Sequence, residues 1–403
     1  MSFPFQIIWR FGRTRARAWV ALAIVLGSLC FAPFSARGVI LYRTGDPAAN
    51  TTVPSNDPAG SGWNYIGKFG GFLGTPIAPH FFITAKHVDH SGSNLVYGGS
   101  TYALVGFARD PFSDLTIWQV AETFPTFAPL YTKMNEPGLR LVVMGCGTQR
   151  GAEVFRNLEF RGWFWGNSDG VQRWGENIVS SVVNFSRGPD DALYGTLDQN
   201  GLPDESHLSS GDSGGPLFLQ DGGDWKLAGI NYSVDGNFFT DNMGNGEFVA
   251  ALFDMRNYYY REGDPPNYVE ITGPAPVPSG FYSTRISSKL AWIYSVIDPA
   301  GDLDADGQSN LLEYAGVLNG PPPLGYGEPV VSLEGGFLAL TYRKITNAPS
   351  LTYQVQVSTN LTSWENAASQ DTVVRTDENV QTIKASVPIG SNPSLFLKLI
   401  ISQ

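Results

Sequence analysis

The stretch HLSSGDSGGPLF, residues 207–218, has the glycine-rich centre GDSGGP with a single serine. Glycines let the backbone bend sharply, so that successive N–H groups can point into one hollow. A serine hydroxyl becomes a nucleophile only when a base removes its proton and donors receive the developing oxyanion. The stretch therefore suggests Ser213 as a nucleophile and the N–H groups of Gly211 and Ser213 as oxyanion donors.

A nucleophilic serine needs a base and a carboxylate that orients it. His87, in FFITAKHV, follows an apolar strand whose end can hold an imidazole rigidly toward a cleft. His80 lies in a Pro-His turn and is expected to be solvated, whereas His90, in the loop HVDHSGS, is the other candidate base. Asp114 opens the apolar strand SDLTIWQV, and Asp110, in the turn ARDPFS, is the alternative carboxylate.

The order His87, Asp114, Ser213, together with TA-x-H, D-L-x-I and GDSGGP, resembles the chymotrypsin- and trypsin-like serine endopeptidases. GTPIAPHFFITAKHV resembles the strand pair that leads to their histidine, and DWKLAGINYS resembles the strand along their substrate cleft. The resemblance covers residues 63–261 and implies two perpendicular β-barrels with the active site between them. It also implies that His87 is general base and acid, that Asp114 orients it, and that Ser213 forms an acyl-enzyme.

Three features depart from this family. The paired cysteines of its animal members are absent, and Lys86 stands before the histidine where a small residue is usual. The family's IVGG start, whose freed amine pairs with the aspartate before the serine, is also missing. That aspartate is Asp212, and Val39 is a candidate partner if the chain is cut after Gly38.

The resemblance also indicates a specificity pocket formed by His207, Tyr232 and Ser233. Trypsin-like members carry an aspartate six residues before the serine, where this chain has His207. A basic substrate side chain is therefore disfavoured, and a histidine there could attract acidic or polar side chains. The alternative is that His207 only makes hydrogen bonds within its loop.

The composition predicts a β-rich globular protein with many turns. Charged residues make up 16% of the chain and aromatics 13%, and there are 46 glycines. The formal charge of −11 argues against a nucleic-acid partner. We expect a mainly β protein with an N-terminal arm, a trypsin-like double barrel, a proline-rich linker and a small C-terminal β domain, at residues 39–62, 63–261, 262–297 and 326–403.

Residues 1–38 have the pattern of an export signal. A basic segment precedes an apolar run at residues 18–30, and Ala36-Arg37-Gly38 has the small residues that a signal peptidase needs. We expect a secreted protein, or one in the periplasm or at the cell surface; the alternative is an uncleaved membrane anchor. Cys30 leaves with the signal, so Cys146 is expected to be a buried thiol, with a nucleophilic role as the alternative.

The acidic loop DLDADGQSNLLE, residues 302–313, has the spacing of an EF-hand-like calcium loop. Gly307 allows a tight turn, and the predicted calcium ligands are the side chains of Asp302, Asp304, Asp306 and Glu313 and the carbonyl of Gln308. We expect a structural Ca²⁺ within residues 298–317. The alternative is an acidic N-terminus of the helix NLLEYAGVL.

This loop, with LTYQVQVSTNLTSWENA after it, resembles C-terminal regions of large secreted proteins from Verrucomicrobia-like bacteria. The resemblance implies attachment to a cell surface or spacing from it. Trp364 belongs to the domain core or forms a platform for carbohydrate. The sequence thus predicts a monomeric secreted serine endopeptidase acting on proteins or peptides; the alternative is a secreted binding or adhesion protein on an inactive protease scaffold.

Overall fold

The computed structural model describes residues 38–88, 93–184, 191–305, 307, 309–315, 329–346, 348, 351–377, 379–391 and 394–402. They all belong to one compact unit, Ser35–Gln403. Within them, no helix is long and apolar enough to cross a membrane. The predicted export signal lies outside the described residues except for Gly38.

Residues 67–120 build one curled antiparallel sheet, called here the first sheet. After β1 (Ile40–Leu41) come β2 (Gly67–Phe69), β3 (Phe72–Ala78), β4 (Phe81–Ala85), β5 (Leu95–Tyr97), β6 (Ser100–Tyr102), β7 (Leu104–Arg109) and β8 (Leu115–Val120). In the described residues the order is β6-β5-β2-β3-β4-β8-β7. Phe69, Phe82 and Trp118 pack on one another inside it.

The next thirteen strands include a second curled sheet, called here the second sheet. They are β9 (Arg140–Gly145), β10 (Thr148–Arg156), β11 (Glu159–Ser168), β12 (Arg173–Ile178), β13 (Ser181–Val183), β14 (Ala192–Thr196), β15 (Ser206–His207), β16 (Pro216–Asp221), β17 (Asp224–Val234), β18 (Ala250–Leu252), β19 (Tyr259–Glu262), β20 (Asn267–Glu270) and β21 (Gly280–Arg285). Over the described residues, the second sheet has the order β12-β9-β16-β17-β21-β14-β13. Beside it, β10, β11 and β18 form a smaller sheet, and β19 pairs with β20.

One hydrophobic core joins the two curled sheets. Leu73, Ile83 and Leu115 of the first sheet pack in it with Val142 and Phe218 of the second. The helix α1 (Leu290–Ile297) adds Trp292 and Ile293 to the same core, and both are buried. The apolar residues of β4, β8, β9 and β16 thus hold the two sheets together, and the candidate site lies where these strands end.

Two predicted boundaries differ from the structure. The second half of the predicted linker, residues 262–297, contains β21, which lies between β17 and β14 in the second sheet, and α1. The strand β21 was missed because its buried positions include a polar residue, Ser283, which weakens the alternation of apolar and polar residues. The prolines before the strand then made the segment resemble a linker. In the predicted arm, residues 39–62, β1 pairs with β15, and Val39 and Leu41 are buried in the core of the second sheet.

The C-terminal part contains α2 (Asn310–Tyr314) and seven strands. They are β22 (Val330–Glu334), β23 (Phe337–Ile345), β24 (Thr352–Ser358), β25 (Glu365–Asn366), β26 (Gln370–Asp377), β27 (Val380–Pro388) and β28 (Phe396–Ser402). As far as the chain is described, they form the sheets β22-β23-β27-β26 and β25-β24-β28. Leu340, Val355, Ile383 and Ala385 pack between them. The predicted mainly β class is confirmed: the described residues form two curled seven-stranded sheets, with smaller β sheets at the C-terminal end.

Candidate active site

The pairing of β4 with β8 brings His87 and Asp114 together. Ala85 is opposite Leu115 in this ladder, and one residue further the Lys86 N–H donates to the Asp114 carbonyl over 2.9 Å. His87 follows in a 3₁₀ turn, Lys86–Val88, whose Val88 is buried in the core between the sheets. The buried Val88 anchors the turn, while the imidazole of His87 stays 40% exposed. The ring can therefore reach a substrate.

The carboxylate of Asp114 contacts His87 through both of its oxygens. Oδ1 accepts the His87 main-chain N–H over 3.0 Å, and Oδ2 lies 2.5 Å from Nδ1. With its proton on Nδ1, His87 donates to Asp114 and presents the lone pair of Nε2 on the opposite side of the ring. Nε2 lies 2.8 Å from Ser213 Oγ. The three predicted triad residues thus form one hydrogen-bonded chain.

The loop that carries Ser213 is fixed by its neighbours on the second sheet. The side-chain amide of Asn231, on β17, donates to the carbonyls of Met144 and Asp212 over 2.9 and 3.1 Å. Gly214 has φ +77°, and a Cβ there would lie 2.3 Å from Thr84 Oγ1 on β4. The serine loop therefore packs directly on the strand that leads to His87, and only glycine fits at this contact.

The predicted oxyanion donors flank Asp212. Gly211 has φ +96°, a backbone conformation that only glycine adopts at low cost. Within the described chain, neither of these two N–H groups has a hydrogen-bond acceptor. The Asp212 N–H between them donates instead to the Ser209 carbonyl over 3.2 Å. Both predicted donors are thus available to a ligand beside Ser213.

Asp212 is 1% exposed and is held by hydrogen bonds from several directions. Its carboxylate accepts the Gly147 N–H over 2.7 Å, the Ser209 N–H and hydroxyl over 2.8 and 3.0 Å, and the main-chain N–H of Val39. Burial is the largest cause that raises the pKa of Asp212, to about 6. Val39, named from the sequence as its partner, therefore lies against this carboxylate. Sequence reasoning missed Gly147 and Ser209, which carry no family motif.

The predicted pocket residues lie in different surroundings. His207 is fully buried: Nδ1 lies 2.6 Å from the Leu208 carbonyl and Nε2 lies 3.2 Å from Ser279 Oγ. Burial lowers the pKa of His207, so its ring is neutral. These contacts match the alternative interpretation, a histidine that makes hydrogen bonds within the fold. Ser279, which precedes β21, was missed because it falls in the predicted linker.

The other two predicted pocket residues lie near the triad on β17. The Tyr232 ring meets the His87 ring edge-on, with 5.8 Å between the ring centroids. Ser233 is half-buried and faces Tyr282 in the ladder of β17 with β21. Tyr232 therefore borders the His87 ring directly, whereas Ser233 is one residue further along the strand.

Among the described residues, the remaining candidates Cys146, His80 and Asp110 take no part in this arrangement. Cys146 is buried, its Sγ lies 3.4 Å from the Gly71 carbonyl, and burial raises the pKa of its thiol to about 12. Cys146 is therefore a neutral, buried thiol, in agreement with the first of its two predicted roles. His80 Nδ1 lies 3.0 Å from the Glu122 carbonyl, away from Ser213. Asp110 accepts hydrogen bonds from its own turn, and His90 lies outside the described residues.

The acidic loop is described only in part, because Asp306 and Gln308 lie outside the described residues. Asp302 and Asp304 are exposed, and Glu313 lies on α2. Gly307 has φ +91°, and its N–H donates to Asp302 Oδ2 over 2.8 Å, which closes the turn. Among the described residues, no three acidic, histidine or cysteine side chains are grouped closely enough to hold a metal ion. The calcium prediction stays open.

Comparisons with known proteins found similarity among solved structures only. No family model matches the sequence, and no curated protein matches it. Among solved structures, the chain is similar to neuropsin, a serine protease expressed in the limbic system of mouse brain. The two are 14% identical with a TM-score of 0.38, and the similarity covers 59% of this chain and 96% of that one.

Proposed function

We propose that this protein is a serine endopeptidase that hydrolyses peptide bonds of proteins or peptides. The observation that carries the proposal is the chain of hydrogen bonds from Asp114 through His87 to Ser213, with contacts of 2.5 and 2.8 Å. A hydroxyl at this distance from a neutral imidazole can pass its proton to Nε2 as it attacks.

The reaction follows from these contacts. Ser213 Oγ bonds to the carbonyl carbon of the substrate, its proton moves to His87 Nε2, and the carbonyl π electrons move to the oxygen. The N–H groups of Gly211 and Ser213 bind that oxyanion. When the carbon–nitrogen bond breaks, His87 returns the proton to the leaving amine. A water molecule, deprotonated by the same Nε2, then attacks the acyl-enzyme and releases the acid and Ser213.

Asp114 supports both steps without giving up its charge. It keeps the proton of His87 on Nδ1 and stabilises the imidazolium that forms during each proton transfer. The ring accepts each proton through Nε2, which lies 2.8 Å from Ser213 Oγ. Tyr232 packs against the same ring in a T-shaped contact, with 5.8 Å between the ring centroids.

The chain surrounding the protease part suggests an exported enzyme with an accessory module. The basic and apolar segment at residues 1–38 supports export to the outside or to the cell surface. In the C-terminal part, the Gly307 turn onto Asp302 supports a structural calcium ion held by the side chains of Asp302, Asp304, Asp306 and Glu313 and the carbonyl of Gln308. This ion would stabilise the module and would take no part in hydrolysis.

Labelling with a fluorophosphonate probe tests the proposed chemistry, because the probe bonds to activated serines. Wild type and Ser210→Ala should be labelled, whereas Ser213→Ala and His87→Ala should not. Ser210 is exposed three residues from the nucleophile, so its variant is the matched control. The purified protein should begin at its mature N-terminus, and mass spectrometry should place the label on Ser213. A folded, processed wild type that is unlabelled and leaves casein intact would instead support a binding protein on this scaffold.

A further inference from the structure

The family pattern leaves the role of Lys86, next to the proposed catalytic histidine, unexplained. Its side chain is half-buried and reaches across to the loop of residues 110–113. The ammonium donates to the Asp110 carbonyl over 2.6 Å and to the Ser113 carbonyl over 2.5 Å. One side chain thus spans the two ends of this loop, and the next residue of the chain is Asp114.

The loop is also closed internally. The Asp110 carboxylate, 1% exposed, accepts the Phe112 N–H over 3.0 Å and the Ser113 hydroxyl. The Asp110 N–H donates to the Leu115 carbonyl over 3.0 Å, which joins the loop to the start of β8. Lys86 neutralises part of the negative potential that a buried carboxylate and two inward carbonyls create. Without the ammonium, both carbonyl oxygens would lose a charged donor.

The loop also contacts the C-terminal part of the chain. Phe112 packs against a cluster of Ala315, Ile345, Ala348, Leu351 and Val380. The loop is therefore held both by this apolar cluster and by the Lys86 ammonium. Removing the ammonium would leave the apolar cover in place, so the loop should shift rather than unfold.

We propose that Lys86 is a positioning residue that holds the loop before Asp114 and thereby sets the carboxylate against His87. Its main-chain N–H fixes the Asp114 carbonyl over 2.9 Å, while its ammonium fixes the loop through the carbonyls of residues 110 and 113. This inference rests on the proposed hydrolytic function. In an enzyme of this kind, a displacement of about 1 Å in a catalytic group can cost about 100-fold in rate.

The test compares Lys86→Met, which keeps the length of the side chain but has no donor, with Lys86→Arg, which restores a charged donor. Lys133→Met, in which an exposed lysine loses its ion pair with Asp221, is the control. The rate of fluorophosphonate labelling should fall about 10- to 100-fold in Lys86→Met, recover at least in part in Lys86→Arg, and stay at the wild-type value in the control.

A second readout does not depend on activity. The Nδ1 proton of His87, held by Asp114, should give a proton NMR signal far downfield of the amide region. This signal should be weakened or moved upfield in Lys86→Met and retained in Lys133→Met. Labelling and a downfield signal at wild-type values in Lys86→Met would overturn the positioning role and leave the proposed function intact. If wild type is not labelled, the hydrolytic proposal fails, and the NMR signal alone decides whether Lys86 positions Asp114.

Discussion

Asp114 holds His87 at two points, through the main-chain N–H over 3.0 Å and through Nδ1 over 2.5 Å. The first contact fixes the backbone of the 3₁₀ turn and the second fixes the ring. Asparagine would keep the shape but could turn its amide to His87 and favour the other tautomer. Asp114→Asn should therefore reduce kcat on a peptide substrate by about 10⁴-fold. Asp224→Asn, at an exposed hairpin turn, is the control, and a loss under 10-fold in Asp114→Asn would contradict this role.

The contact of Gly214 with β4 predicts a second loss of activity. In Gly214→Ala, the new Cβ would lie 2.3 Å from Thr84 Oγ1 and 2.9 Å from the Leu73 carbonyl, at a φ of +77°. The serine loop must move away from the first sheet, so labelling of Ser213 should fall by about 100-fold. Gly222 also has a positive φ, but a Cβ added there would have no atom within 4 Å. The variant Gly222→Ala should therefore keep the wild-type labelling rate. Equal rates in the two variants would show that the loop tolerates the displacement.

The buried Asp212 predicts a change of stability on processing. In the chain that still carries the residues before Val39, burial raises the pKa of Asp212 from 3.8 to about 6. Because this pKa is raised, the contribution of Asp212 to the free energy of unfolding is fully present below pH 3.8. This contribution is lost as pH rises through about 6. A free Val39 ammonium would lower this pKa and remove the decline.

Urea unfolding at pH 4 and pH 7 checks this expectation. From pH 4 to pH 7, the free energy of unfolding should fall more in the unprocessed chain than in the chain that begins at Val39. Asp212→Asn should make the two forms behave alike, since it cannot be ionised. A pH dependence that is the same in both wild-type forms would mean that the freed amine does not pair with Asp212.

A second buried carboxyl predicts a pH dependence that is unrelated to the active site. Burial raises the pKa of Glu205 from 4.5 to about 7, although it accepts N–H groups of Asp198 and Leu202 over 3.0 Å each. Its contribution to stability is present below pH 4.5 and is lost as pH rises through about 7. Between pH 5 and pH 8, the free energy of unfolding of Glu205→Gln should therefore change less than that of wild type. Glu262→Gln, an exposed control, should follow wild type, and an unaltered slope in Glu205→Gln would refute the assignment.

The acidic loop predicts stabilisation by calcium. Adding calcium to metal-free protein should raise the melting temperature of the C-terminal part, and chelation should lower it again. Glu313→Gln removes a predicted ligand and should abolish the rise, whereas Glu365→Gln, at an exposed strand, should retain it. Melting that does not respond to calcium or to a chelator in wild type would support the alternative, in which the aspartates only precede α2.

The candidate site was largely predictable because its parts lie next to strong local signals. The glycines beside Ser213 and the apolar strands beside His87 and Asp114 can be recognised from the local sequence, without knowing which strands pair. The burial of His207 was not predictable, because Ser279 reaches it from 72 residues away along the chain. The place of β21 in the second sheet was hidden for a similar reason, since its identity as a strand depends on β14 and β17 on either side.

The sequence by itself determined the mainly β class and the three residue types of the proposed triad, because periodicity and glycine content act over a few neighbouring residues. Tertiary structure decided the relation of Lys86 to the loop at residues 110–113 and that of Gly147 to Asp212. These contacts join residues that are far apart along the chain. A hydrogen bond of this kind depends on which strands pair and where each strand ends, and no local pattern carries that information.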